Sequence, residues 1–365
     1  MAQPRPLELR FPSLGVVRRH LHERQYSAVS YPTPWSYNCR LEDELTNRLR
    51  GGSFTGIDAG DRPSSIVYRD RTLTFSANAI TASRVGDSTD TTLSSDVSDM
   101  LRPALFQFSE ASEQGGTVVA LVPHKDQFLL CFTASELWVQ QGDPLNGPRR
   151  RISDQVGIVG ADAWAVVHDT VYFLSSSGLY AVGADGSGLK ALSEDVLPED
   201  LTGVTDDSCT LTYQHSDRGL YIHKSGVEWF MDTERGGFWP FNTSVSDSHV
   251  LIGPLRLGGP DSYGMVQRIH GLMAASSAQV TWRLVLGDTA EEACDNGKLA
   301  IVAAVAGNKY SQYCSADGTW DAGRSNTAWP RTRGLWCVLW LASEGTWAYE
   351  AVHMNITPFG RWRGN

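Results

Sequence analysis

Short stretches of alternating apolar and polar residues, separated by small polar turns, run along most of this chain. Three of them share one pattern: an apolar strand, a turn that contains serine, and a second strand that opens with an aliphatic residue. β-Branched and aromatic residues flank a Ser-Glu or Ser-Gly turn in each, which is the chemistry of a β-hairpin. The pattern predicts three hairpins, at Phe128–Val139, Val171–Val182 and Leu220–Phe230.

The three hairpins recur at a similar interval. Their equivalent aliphatic residues are Leu137, Leu179 and Val227, which are 42 and 48 residues apart. This is the spacing of one four-stranded propeller blade per repeat, and weaker copies of the pattern occur at 65–75 and 250–269. We therefore expect an all-β fold of β-propeller-like repeats, with about five to six blades of four-stranded sheets over residues 50–275.

The pattern changes near residue 278. Turns rich in Gly and Asp separate strand-like apolar runs at 281–286, 300–305, 334–341 and 347–356. Four such strands are enough for a small two-layer domain. We expect an extended docking arm over 1–50, a β-propeller over 51–275 and a small C-terminal β-sandwich or jelly-roll-like domain over 276–365. Between the hairpins, Ser94–Leu101 is predicted as a short helix that Pro103 ends.

Composition and charge add a functional constraint. The 365 residues include 35 Gly and 16 Pro with only 20% charged residues, which is typical of a turn-rich β protein. The net charge is −10, yet residues 1–50 carry eight Arg against five acids, whereas 101–250 carry nine basic and twenty acidic residues. An acidic total disfavours a general nucleic-acid binder, and a basic segment ahead of an acidic body suits a docking arm. The longest apolar stretch, Leu299–Val305, is too short for a membrane span, so none is expected.

Motifs for catalysis or for cofactor and metal binding are scarce. The sequence has no Gly-rich phosphate loop, no HExxH and no tight Cys/His cluster, so we expect no cofactor and no metal. His20 and His22 would share one face of a strand, but a basic arm explains them better. A glycosidase needs two carboxylates, and the pairs Glu194–Asp195 and Asp206–Asp207 fit solvated loops better. We expect no enzyme activity; a carbohydrate-active or host-receptor-binding propeller, a glycosidase or an adhesin, is the alternative.

One early segment combines Asn38 with the run Arg48-Leu-Arg-Gly-Gly52. Other distinctive segments lie at Glu136–Val139, Val156–Gly160, Asp169–Tyr180, Trp347–Glu350 and Gly360–Arg363. Together these segments resemble the β-propeller proteins of tailed-bacteriophage virions, in which an arm precedes an Arg- and Gly-rich turn into the first blade. That family includes tail nozzle proteins and packaged-DNA stabilisation proteins of short-tailed phages, which form rings at the tail channel, often of six copies.

The resemblance implies a non-catalytic structural component of the virion, assembled in the host cytoplasm. The chain would form a ring around the DNA channel at the tail nozzle or at the head–tail junction. Its partners would be copies of itself, often six in that family, and neighbouring phage connector, adaptor or tail proteins. Double-stranded DNA would pass through the ring during ejection without sequence-specific binding.

Two sets of site residues follow from the ring and the charge distribution. The N-terminal arm would dock on an acidic surface of a neighbouring connector ring through Arg18, Arg19, Arg24, Arg48 and Arg50. A wall of like charge offers DNA phosphates no cation to pair with, so the DNA stays mobile. Acids of the 101–250 segment would line the lumen, among them Asp143, Asp154, Asp206 and Asp207.

Overall fold

Strands form nearly all of the regular structure. The computed structural model describes residues 5–9, 36–37, 39–42, 48–52, 65–108, 116–197, 200–205, 207–224, 227–242, 247–259, 262–305, 314–323 and 326–360. Contacts divide the chain into two compact units, one made of 57–214 and 220–226, the other of 1–56, 215–219 and 227–365. This division differs from the predicted boundaries because strands that precede residue 52 pair with strands that follow residue 247.

The described part of the predicted docking arm contains short strands. These are β1 (Arg5–Leu9), β2 (Ser36–Tyr37), β3 (Cys39–Glu42) and β4 (Arg48–Gly51). β3 and β4 pair antiparallel, while β1 and β4 both pair with the last strand of the chain. The described part of this segment is therefore built into sheets.

Residues 65–241 form four antiparallel sheets, each of four consecutive strands. The first two sheets contain β5 (Ser65–Tyr68), β6 (Arg71–Ser76), β7 (Ala79–Ala82), β8 (Ala104–Phe106), β9 (Val118–His124), β10 (Phe128–Thr133), β11 (Leu137–Gln141) and β12 (Arg149–Ser153). The next two contain β13 (Trp164–Val167), β14 (Thr170–Ser175), β15 (Gly178–Gly183), β16 (Lys190–Ala191), β17 (Thr210–Gln214), β18 (Gly219–Lys224), β19 (Val227–Asp232) and β20 (Phe238–Phe241). This is the strand arrangement of propeller blades, and it confirms the predicted all-β fold of four-stranded repeats.

The hairpin predicted at 250–269 does not form a further sheet of this kind. Its halves are β21 (Ser248–Arg256) and β22 (Tyr263–Met273), which lie in different sheets. The remaining elements are β23 (Val280–Gly287), α1 (Ala290–Val305), β24 (Cys314–Trp320), β25 (Asn326–Ala328), β26 (Thr332–Gly334), β27 (Trp336–Ser343) and β28 (Trp347–Phe359). β21 pairs with β27 and β22 with β28, so long C-terminal strands replace the local partner.

Two sheets of the unit that contains 227–365 face each other. One has the order β2-β21-β27-β23-β24; the other has β25-β22-β28-β4-β3, with β1 beside β28 and β26 beside β22. Trp320 of β24 lies against Gly271 of β22, where a Cβ atom would be 2.6 Å from the indole. Trp347 of β28 donates its Nε1–H to Ser248 Oγ of β21 at 2.7 Å. The predicted sandwich thus gains strands from 5–51 and 248–273.

A helix covers the other face of the five-stranded sheet. Residues of α1 share one buried cluster with β21, β23 and β27. The Thr289 hydroxyl accepts the N–H of Glu292 at 3.1 Å, and the Glu292 carboxylate accepts the N–H of Asp288 at 2.8 Å. These contacts resemble a capping box and start the helix. The prediction of a strand at 300–305 is wrong, because this run is the last part of α1.

Candidate functional site

The arginines predicted to form the docking arm fall into two groups. Three lie outside the described residues: Arg18, Arg19 and Arg24. Arg48 and Arg50 belong to β4, with Arg48 opposite Glu42 of β3 and Arg50 opposite Ala348 of β28. The backbone of these two arginines is therefore part of a paired strand.

The acids predicted to line a lumen are spread over the sheets. Asp143 precedes β12 and Asp154 follows it. A five-residue strand separates the two by about 16 Å along its length. Asp207, which is exposed, precedes β17, and Asp206 lies outside the described residues. The topology therefore does not gather Asp143 and Asp154 at one end of their sheet.

An aspartate closes the turn at the end of the third strand in each four-stranded sheet. An Oδ1 atom accepts the N–H two residues further along, at 2.8 to 2.9 Å, in Asp87, Asp143, Asp185 and Asp232. Hydrogen bonds from Thr89 and Ser187 lower the pKa values of Asp87 and Asp185. Such Asx turns shape the backbone, so part of the acidic excess is structural. The recurrence of Asp every 42 to 56 residues was the signal that sequence reasoning missed.

Charged residues at the first hairpin turn connect the first three four-stranded sheets to one another. Arg69, Lys125 and Asp126 have φ values between 48° and 52°, as type I′ turns require. Asp126 Oδ1 accepts the N–H of Arg69 at 2.8 Å. Asp169 accepts a hydrogen bond from Lys125 and lies 3.0 Å from Nε2 of His124. The Lys125 hydrogen bond is the main reason that the pKa of Asp169 is lowered.

The side chain of Arg71 in β6 is fully buried. Its Nη1 donates to the carbonyl oxygens of Ser83 at 2.8 Å and Arg102 at 2.7 Å, and its Nη2 donates to that of Met100 at 3.1 Å. The Asp143 carboxylate is 3.7 Å from Nε. A buried guanidinium needs such partners to offset its desolvation. Arg71 therefore ties both ends of the connection between β7 and β8 to the first sheet.

Hydrogen bonds and an ion pair within that connection, residues 84–103, hold its backbone in place. The N–H of Arg84 donates to the carbonyl of Asp90, and that of Val85 donates to the carbonyl of Leu101. The Arg84 guanidinium pairs with the Asp99 carboxylate at 2.8 Å. The helix predicted at 94–101 is absent from this described stretch, because the carboxylates of Asp96 and Asp99 capture the N–H groups two residues on.

The same connection carries an unusual concentration of exposed apolar side chains. Nine large hydrophobic residues are strongly exposed among the described residues, and five of them lie within thirteen positions. These five, between 50% and 76% exposed, are four residues of the connection and one of the adjoining strand β8, and we call them the apolar loop surface: Leu93, Val97, Met100, Leu101 and Leu105. Single exposed hydrophobic residues are ordinary on protein surfaces, whereas five so close together in the sequence are unusual.

Burial and hydrogen bonding set the chemistry of the ionisable groups in the described residues. No group of three or more His, Cys, Asp or Glu side chains in this part of the chain is placed to hold a metal ion. All six cysteines are free thiols, and burial raises the pKa of Cys294 and of Cys337 to about 12. Each resolved aspartate pKa shift is downward, the opposite of what a general acid needs. No helix in the described ranges is long and apolar enough to cross a membrane.

Comparison with known proteins yields partial structural similarity. No protein-family model and no curated protein matches this chain. Similar solved structures include the extracellular domain of BT4673 from B. thetaiotaomicron (13% identity, 57% of this chain and 28% of that chain, TM-score 0.31). A second is dihydro-heme d1 dehydrogenase NirN in complex with DHE (13% identity, 53% of this chain and 42% of that chain, TM-score 0.34). A third is the AfRom2 CNH domain (11% identity, 64% of this chain and 82% of that chain, TM-score 0.30). The chain matches less than half the length of BT4673 and NirN, and these low scores carry no functional argument.

Proposed function

We propose that this chain is a non-catalytic structural subunit that assembles with copies of itself into a ring in a tailed-phage particle. The apolar loop surface carries the proposal, since an ordered cluster of exposed apolar side chains is typical of a protein that binds a partner. The ring and the phage particle come from the sequence resemblance at 38–52, 169–180 and 347–363.

The use of charge in the described residues supports a structural role. Arg71 donates hydrogen bonds to backbone carbonyls, and each of the four turn aspartates accepts one from a backbone N–H. Asp126 and Asp169 connect neighbouring turns. Rigid sheets with shaped connections suit a subunit that presents fixed surfaces to its neighbours. The net charge of −10 suits a ring through which DNA passes without being held.

Sedimentation velocity, followed by negative-stain electron microscopy, tests this proposal. We expect the purified full-length chain to sediment as a closed oligomer whose images show a central opening. A monomer at every concentration, with or without the neighbouring virion proteins, would refute the ring. Hydrolysis of a surface glycan that a single carboxylate substitution abolishes would instead establish the glycosidase alternative, and specific retention on a glycan array would establish an adhesin.

A further inference from the structure

We propose that the apolar loop surface of one copy binds residues 14–24 of a second copy. This inference rests on the proposed assembly of copies and identifies the contact between them. It is carried by the position of the exposed apolar side chains, by the way the loop backbone is held, and by the matching chemistry of the two segments.

The apolar loop surface is pre-organised by contacts of the loop backbone. Arg71 holds the carbonyls of Met100 and Arg102, and the Arg84–Asp99 pair closes the loop on itself. An ordered loop loses little conformational freedom when a ligand binds, which favours affinity. The loop therefore presents its apolar side chains as a prepared surface.

The loop that carries this surface has an excess of acidic residues. Four aspartates lie in the loop, Asp87, Asp90, Asp96 and Asp99, against two arginines. Both arginines already have acceptors within the loop, Arg84 with the Asp99 carboxylate and Arg102 with the carbonyl of Asp96. The loop therefore has more acidic than basic residues, which favours a partner segment that is both apolar and basic.

Residues 14–24 have a composition that matches this surface. Residues 14–24 contain four aliphatic residues, Leu14, Val16, Val17 and Leu21, and they contain three arginines against one acid, Glu23. This segment has the apolar content and the positive charge that the loop requires. The five loop side chains are at least half exposed in the single chain. They are therefore open to an occupant, and we assign that place to this segment of a neighbouring copy because the proposed function assembles copies of the chain.

Fluorescence anisotropy with a labelled peptide of residues 12–26 tests the contact. The receptor is the full-length chain carrying R18E, R19E and R24E, so that its own segment does not compete. We expect saturable binding that weakens as NaCl is raised. Adding L93S, V97S and M100S should weaken binding roughly tenfold or more, because apolar area is no longer buried. V97D alone should act in the same direction.

Matched controls separate the loop from general surface effects. L299S with V302S removes exposed apolar side chains from α1 and should leave peptide affinity unchanged. A peptide with its three arginines changed to glutamate should bind roughly tenfold more weakly or not at all. Circular dichroism and thermal unfolding verify that each variant is folded, as expected for substitutions at exposed positions.

The outcomes distinguish this inference from the proposed ring. Equal peptide affinity for the loop variant and its parent, or no peptide binding, overturns the inference. Rings that form normally with the L93S, V97S and M100S changes also overturn it and leave the proposed function intact. Loop-dependent binding of a neighbouring virion protein without peptide binding assigns the surface to that protein. Loop-dependent peptide binding together with loss of the ring in the loop variant supports both.

Discussion

Replacing Arg71 with methionine removes the group that ties residues 83, 100 and 102 to the first four-stranded sheet. The buried guanidinium donates three hydrogen bonds to backbone carbonyls, at 2.7 to 3.1 Å. Methionine fills much of the same volume but donates none of them. The substitution therefore tests the hydrogen bonds more than the packing.

The expected loss follows from the number and type of these hydrogen bonds. Hydrogen bonds from a charged donor contribute about 1.5 kcal/mol or more each, so three give roughly 4 to 5 kcal/mol. Water that reaches the carbonyls of Met100 and Arg102 once the loop opens reduces the net value. We expect R71M to lower the free energy of unfolding by about 3 kcal/mol. R71K should lose roughly half as much, because an ammonium cannot reproduce the planar fork.

Hydrogen–deuterium exchange provides the decisive assay because it reports on the loop separately from the whole chain. In R71M the amides of Arg84 and Val85, which bond within the loop, should exchange much faster than in the wild type. R84A, which removes a partly exposed ion pair, should cost no more than about 0.5 kcal/mol and serves as the control. Unchanged exchange and a loss below about 1 kcal/mol in R71M would refute the role assigned to Arg71.

The remaining predictions concern the other unit. Burial lowers the pKa of His249 from 6.5 to about 4. As the pH drops from about 6.5 toward 4, the unfolded chain therefore binds the proton before the folded chain does, and the free energy of unfolding falls by up to roughly 3 kcal/mol. H249Q should flatten that part of the pH profile of denaturant unfolding. G271A places a methyl group 2.6 Å from the Trp320 ring and should lower the melting temperature, with a loss of about 1 to 3 kcal/mol; an unchanged melting temperature would contradict the close packing. T289A removes the hydroxyl that accepts the Glu292 N–H and should cost about 1 kcal/mol in urea unfolding, which T289S should largely restore.

Local chemistry in the sequence is sufficient to predict the repeated sheets. Strand alternation and turn residues act within a few positions, so the hairpins at 128–139 and 171–182 can be located from the amino-acid pattern alone. The capping contact between Thr289 and Glu292 also follows a recognisable sequence pattern. The run at 300–305 nevertheless suggested a strand, because a short apolar run fits a strand and a buried helix equally well.

The pairing of distant segments depends on the packing of the whole unit. The alternation in 248–256 and 263–273 is compatible with a local hairpin as well as with the observed long-range pairing. In the structure the apolar strands β27 and β28 are the pairing partners instead. Nothing in the sequence distinguishes Arg71 from other arginines, since its burial depends on where residues 83–102 return to the sheet. The strand-and-turn repeats can be inferred from the chain because their interactions are local. The sheet partners, the burial of Arg71 and the exposure of the loop cannot be inferred in this way, because they depend on packing between residues that are far apart in the sequence.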